Sequence, residues 1–299
     1  MNGDFIYPLE RFQTVWRQFL LNQFHDCLPG SSIPEVYDDL YDSWMEFKEI
    51  LDGVLNDWTG KLAVPKGTQL TLSNPVGWNR KSPVFIAQKL VEGTKLDAEG
   101  KPPYIKLTCV TDEKDIIIGQ PVASEGSNID DTRPAGWWAI VELNAYATKC
   151  YKVEVLKDAA TAGSSVFKTN AGIIESPTAT VEISQKTGAI TKWTATNINN
   201  NKNLLRGDQS NLSVGFVDDQ TNDHAWNLKY VYWEHQLSIP NDNDVKVTVI
   251  DNGPVFATLQ IEKSLGSGPV KEKLVAKDTI GENKVIQKVT LFKDDPTLY

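Results

Sequence analysis

From Leu9 to Leu28 apolar residues return at Phe12, Val15, Trp16, Phe19, Leu20 and Phe24, the three-and-four spacing of a helix with one buried face. That helix is predicted to close at Pro29-Gly30. A second is predicted to open at Ser32-Ile33-Pro34-Glu35, with Ser32 as cap, Glu35 three residues on, and proline in the first turn where its missing N–H is harmless. Its stripe runs through Ile33, Val36, Tyr37, Leu40, Tyr41, Trp44, Phe47, Leu51, Val54, Leu55 and Trp58. At about 27 residues it would extend roughly 40 Å, and one partner helix cannot cover such a stripe. Further helices or another domain are expected against it, on its N-terminal side.

After Lys66-Gly67 the period changes from helical to alternating. The runs "TQLTLS", "PVFIAQKLV", "YIKLTCV", "GWWAIVEL" and "YATKCYKVEVL" read as strands, and "DAATAGSS" from Asp158 to Ser165 reads as a joint. A second series follows in "TATVEIS", "AITKWT", "LSVGFV", "LKYVYWEHQLSI", "DVKVTVI", "VFATLQIEK", "KEKLVAK" and "VIQKVTLF". Many short strands separated by Gly, Asn and Asp predict sandwiches. The expected class is therefore α+β: an incomplete helical bundle over residues 1–64, then mainly antiparallel all-β sandwich domains, a small one at 67–158 and a larger one at 164–299. The larger is expected to be shortened at its C-terminal side.

Composition narrows the function. The 299 residues carry a net charge of −9, which disfavours a phosphate-binding surface and hence nucleic acid. A neutral or sugar-like partner fits better. Cys27, Cys109 and Cys150 are too few and scattered for a disulfide framework or a CxxC knuckle, so a reducing compartment is expected. No apolar run is long enough to span a bilayer, and no leader opens the chain. The sequon Asn211-Leu212-Ser213 is a frequent chance match.

Few residues offer chemistry. His25 and Asp26 stand side by side where the first helix is about to stop, a position where side chains meet a cleft. One histidine is not a zinc site, which takes three or four ligands, and no other lies within helical reach. His224 sits in an acidic loop with Asp218, Asp219 and Asp223, able to contact a cation or sugar hydroxyls or simply to be a solvated loop anchored by Trp226. His235 falls within a strand and receives no role. Trp78, Trp137 and Trp138 are either sugar-stacking platforms or, more commonly in all-β proteins, core residues. No GxSxG, Walker loop or GxGxxG at a strand-to-helix turn occurs.

The segment "LLNQFHDCLPGSSIPEVYDD" resembles the L-x-N-Q-F-H-D-x-[LI]-P-G-[ST]-[SC]-I-x-x-V-Y stretch of glycoside hydrolase family 38 α-mannosidases. Downstream, "LSNPVGWNRKSPV" is similar to their Asn-Pro-x-x-Trp-x-Arg stretch, "ATVEISQKTGAITKW" to their strand, Thr-Gly turn and strand, and "VGFVDDQTNDHAWNL" to their acidic loop, with His224 where many members carry Asp. The resemblance implies retaining, exo-acting hydrolysis of terminal α-mannose from oligosaccharides, with one zinc ion and an Asp nucleophile. By motif position His25 matches the zinc-ligand histidine and Asp26 the neighbouring aspartate that contacts substrate hydroxyls. The nucleophile and other zinc ligands come, in the family, from an N-terminal catalytic domain that precedes this stretch, so no catalytic residue is assigned in this chain and it is expected to be inactive alone. The vacuolar or cytosolic branch is the most similar, which implies a cytoplasmic or vacuolar location; assembly as a homo-oligomer stays open. The rival reading is a non-catalytic sandwich module that binds carbohydrate or scaffolds an assembly.

Overall fold

A computed structural model describes residues 6–62, 64–125, 133–157, 160–196, 198–213, 245–264 and 284–299. The strands read at "LKYVYWEHQLSI" and "KEKLVAK", all of "LSVGFV" after its first two residues, and His224, Asp218, Asp219, Asp223, Trp226 and His235 lie outside the described residues. The chain divides into two compact units, with the junction at Val64 and Pro65.

The first unit holds helices α1, Leu9–Leu21, and α2, Pro34–Thr59. They run antiparallel: Arg11 near the start of α1 bonds Asp57 near the end of α2 at 2.8 Å, and Asn22 just past α1 donates to the Ser43 hydroxyl at 2.8 Å. Trp16, Phe19, Trp44 and Phe47 form an aromatic ladder between them, with centroid spacings of 5.7, 6.2 and 5.8 Å. Only Val15, Phe47 and Val54 are buried in the two helices, whereas Trp16 is 60% and Trp44 52% exposed.

Two details differ from the sequence reading. Helix α1 stops at Leu21, not Leu28, because the backbone tightens there into turns: Gln23 N–H reaches only Leu20 C=O and Phe24 N–H only Leu21 C=O. The residue capping α2 is Ile33, extended at φ −71° and ψ 156°, with Pro34 opening the helix and no side-chain cap. Ser32 instead donates its backbone N–H to the Tyr37 hydroxyl at 3.1 Å.

In the second unit the first sandwich is one bent six-stranded antiparallel sheet. Its strands are β1 Leu70–Ser73, β2 Arg80–Ala87, β3 Ile105–Cys109, β4 Ile116–Val122, β5 Gly136–Leu143 and β6 Thr148–Val155, in the order β1-β6-β3-β4-β5-β2. Strand β4 makes the bend by changing partners: Ile116 to Gly119 pair with β3, then Gln120 to Val122 pair with β5. A side chain at position 119 could not be accommodated, since a Cβ there would lie 2.6 Å from Ile105 Cγ1. Folded on itself, the sheet closes a core of Ile86, Ile105, Leu107, Trp137, Ala139 and Tyr151.

The second sandwich has two four-stranded antiparallel sheets among the described residues. One orders β10-β9-β8-β7 from β7 Lys168–Asn170, β8 Ile173–Glu175, β9 Ala179–Ile183 and β10 Ile190–Ala195. The other orders β11-β12-β13-β14 from β11 Val245–Asn252, β12 Phe256–Ser264, β13 Lys284–Phe292 and β14 Asp295–Leu298. Their inner faces meet over Ile174, Val181, Leu259, Ile261, Val289 and Leu291, and the Trp193 indole spans from β10 to the Pro296 carbonyl at 3.1 Å.

The outer face of β2, β4 and β5 packs onto the second sandwich through Phe85, Ile118, Val122, Trp138, Val255, Phe256 and Phe292. Gln120 fastens this joint: its carbonyl accepts from Val255 N–H at 2.9 Å and Phe256 N–H at 3.1 Å, and its amide donates to Phe256 C=O at 3.1 Å. Ala162, inside the segment read as a polar joint, is buried. Among the described residues no helix is long and apolar enough to cross a membrane.

Candidate functional site

The His25-Asp26 pair lies in the turns between α1 and α2, and the order of that stretch follows from its polar residues. Asn22 anchors the exit from α1 to Ser43, whose hydroxyl in turn donates to Leu40 C=O at 2.7 Å. Gly30 adopts φ +80°, a left-handed conformation that costs glycine little and most residues far more. On the far side Tyr37 accepts from Ser32 N–H and donates to Asp26 C=O at 3.3 Å, and Ser31 N–H also reaches that carbonyl at 3.3 Å. The loop is thus pinned at both ends to α2.

Pinning the backbone leaves the side chains free. The His25 side chain is 70% exposed and that of Asp26 37%. The imidazole rests against Phe24 with centroids 4.2 Å apart, and its Nε2 is 3.5 Å from Asp26 Oδ2, within ion-pair range when protonated but long for a hydrogen bond. Both groups can therefore meet a ligand from outside the loop: an imidazole nitrogen as a metal donor, a carboxylate as an acceptor for hydroxyls.

Zinc takes three or four protein ligands in the sites it occupies. His25 supplies one, and among the described residues no group of three or more His, Cys, Asp or Glu converges. The described residues by themselves do not make a zinc site. Of the aromatic candidates, Trp137 is fully buried and donates to Pro103 C=O at 2.6 Å, and Trp138 packs 5.4 Å from both Phe85 and Phe292. Trp78 is 65% exposed, with its carbonyl held by buried Asn74 at 2.8 Å. Sequence reasoning gave no role to Asn22 and placed Tyr37 only in the apolar stripe of the second helix, although both are fixed positions of the motif. A polar residue fixed inside an amphipathic pattern was the available signal.

A histidine and a carboxylate thus stand side by side on a turn braced by a helix pair, and β-sandwiches follow in the chain. Residues 1–62 match the family model described as "Alpha mannosidase middle domain". Over 83 residues the chain is 32% identical to mouse (Mus musculus) "Alpha-mannosidase 2C1", a match covering 26% of this chain and 8% of the mouse protein. Two solved structures from Enterococcus faecalis have a similar fold. The crystal structure of an alpha-mannosidase from strain V583 gives a TM-score of 0.58 at 15% identity, covering 97% of this chain and 36% of that one. A protein in glycosyl hydrolase family 38 gives 0.57 at 16% identity, covering 98% of this chain and 38% of that one. The resemblance to glycoside hydrolase family 38 α-mannosidases is thereby shown: the helical residues match the α-mannosidase middle domain, and the chain as a whole has a fold similar to that of the two solved structures. The chain spans well under half the length of those two structures.

Proposed function

We propose that this chain supplies the middle helical domain and the C-terminal β region of a retaining, zinc-dependent exo-α-mannosidase acting on terminal α-mannose of oligosaccharides. The observation that carries the proposal is the middle-domain match over residues 1–62, with an exposed His25-Asp26 pair on a turn braced by α2. His25 is the metal ligand of this piece and Asp26 its contact to substrate hydroxyls. Bound zinc would fix the hydroxyls of the sugar and stabilise the charge that develops during glycosidic cleavage.

Cleavage with retention needs two carboxyl groups flanking the scissile bond. Asp26 is not proposed as either of them. The nucleophile and the other metal ligands belong to a catalytic domain outside these 299 residues, and the exposed Trp16 and Trp44 of α1 and α2 offer apolar surface for such a partner. In this reading residues 1–64 form the site module, 67–158 and 164–299 the two sandwiches, and the enzyme works in the cytoplasm or vacuole.

The test is an aryl α-mannoside assay on the 299-residue chain alone and with a catalytic domain of a family 38 enzyme supplied in trans. Turnover is expected only in the mixture, and only with His25 intact, with zinc retained on desalting in step with activity. Turnover by the chain alone, or full zinc retention and turnover in His25→Ala, would overturn the proposal.

A further inference from the structure

Two loops of the first sandwich, residues 74–79 leading into β2 and residues 144–147 joining β5 to β6, are fastened to each other. Buried Asn74 donates to Trp78 C=O at 2.8 Å and to Asn144 C=O at 2.9 Å. Tyr146 N–H bonds Val76 C=O at 3.1 Å, and the Asn79 side chain accepts from Ala145 N–H at 3.0 Å. The frame holds the backbone in place, yet its two largest side chains do not build it: Trp78 is 65% and Tyr146 75% exposed.

Tyr146 also occupies a costly position. It is the third residue of a turn closed by Ala147 N–H on Asn144 C=O at 3.1 Å, and its φ is +54°, a left-handed conformation that turns ordinarily give to glycine or asparagine. The phenol lies over Gly77, where a Cβ would come 2.9 Å from its hydroxyl. A bulky ring set in a disfavoured conformation and left three-quarters exposed contributes little to the fold, and backbone strain of this kind clusters where ligands are held.

The chemistry of the surface selects among ligands. Neither loop carries a charged residue, so nothing in them pairs with a phosphate, a carboxylate or a basic peptide. Their polar side chains are amides: exposed Asn144 can both donate and accept, and Asn79, whose oxygen is engaged by Ala145, can donate. Tryptophan and tyrosine give large, rigid contact area with a polar handle. A polyproline strand would use the rings but brings carbonyl acceptors alone, leaving the Asn144 oxygen without a donor. A neutral ligand with C–H faces and hydroxyls answers the rings and the amides together.

We propose that the Trp78–Tyr146 surface binds an uncharged oligosaccharide, with C–H faces of its sugar rings on the two aromatic side chains and its hydroxyls on the amides of Asn79 and Asn144. The surface shares no residue with the His25-Asp26 turn, so the proposal does not rest on the function assigned there.

The 299-residue chain is titrated with α-1,2-mannotriose and, separately, cellotriose by saturation-transfer NMR, with a polyproline peptide as competitor. At least one trisaccharide is expected to bind saturably, with equal affinity from about 50 to about 500 mM NaCl because no ion pair is made, and without displacement by polyproline. Trp78→Ala and Tyr146→Gly are each expected to weaken binding about tenfold or more, whereas Tyr146→Phe keeps the ring and binds as wild type. Tyr146→Gly also releases the left-handed strain, so its melting temperature is expected to equal or exceed that of wild type, and it decides the case if Trp78→Ala does not fold. Absence of saturable binding of both trisaccharides, displacement by polyproline, binding lost at high salt, wild-type affinity in Tyr146→Gly, or a lowered melting temperature of that variant would each overturn the proposal.

Discussion

Replacing Gln120 with leucine tests how much the hydrogen bonds of one buried side chain add to the apolar joint between the two sandwiches. Gln120 is buried and makes three hydrogen bonds to the backbone of Val255 and Phe256. Leucine fills a similar volume but offers no acceptor or donor, so the Val255 and Phe256 N–H groups lose their partner, while Phe256 C=O keeps the bond from Gly253 N–H at 3.1 Å. At about 1 kcal/mol for each N–H, and up to about 3 where it stays buried and unpaired, the loss is at least about 2 kcal/mol. For a unit of this size that lowers the melting temperature by roughly 4–8 °C. Gln120→Glu separates hydrogen bonding from packing. Its carboxylate can still accept from both N–H groups but turns its second oxygen towards the Phe256 carbonyl, which favours the protonated form and raises its folded-state pKa. The folded state then binds the extra proton more tightly than the unfolded one, so the variant's deficit shrinks as pH falls. The assay is thermal unfolding by near-ultraviolet circular dichroism at several pH values, in parallel with urea titration. A wild-type midpoint for Gln120→Leu would refute the reasoning, because it would mean that these backbone groups find partners elsewhere at no cost.

Two further outcomes can be checked with the same preparations. Tyr37→Phe removes the hydroxyl that ties Ser32 N–H to Asp26 C=O; a loss of about 1 kcal/mol in the helical unit is expected, with faster amide exchange at Ser32 and no change in the sandwiches. Burial acts to raise the Glu125 carboxyl, but hydrogen bonds from Lys288 and Arg133 outweigh it and hold its pKa below the usual range. Its stabilising contribution is therefore present above the ordinary carboxylate pKa and disappears as pH falls through the depressed value, so Glu125→Gln should be less stable near neutrality and lose a smaller increment on acidification.

How far the sequence could be read depended on whether local pattern and tertiary environment agreed. Strand β5 was legible because "GWWAIVEL" is a short, nearly continuous run of aromatic and branched apolar residues, and β12 because its apolar residues face a continuous core. Strand β4 went unread: "IIIGQPV" contains glycine and proline, which ordinarily argue against a strand interior. Both are tolerated because β4 has a neighbour on one side only at any point, and Gly119 lies where Ile105 leaves no room for a Cβ. Strands β7 and β8, three residues each, are too short for a period to show, and β14 is interrupted by Pro296.

At the candidate site the opposite problem arose. Phe24 and Leu28 continue the apolar spacing of α1, so periodicity carried the helix past its end, while Asn22 and Ser43 break it through a contact between residues distant in sequence. The His-Asp pair itself was visible only as part of a long motif. No rule of helix propensity asks for either residue there, and exposure of both is a property of the turn.

Strand β5 carries two tryptophans in succession that point to opposite sides, Trp137 into the first core and Trp138 towards the second sandwich. A slip of one residue would exchange them, burying Trp138 and Ile140 where Trp137 and Ala139 belong and turning Ala139 towards Phe292. Its pairing with β2 and β4 is thus proofread from both sides at once: a misaligned β5 fails to close its own sandwich and, by the same error, fails to present a surface on which the next one can assemble.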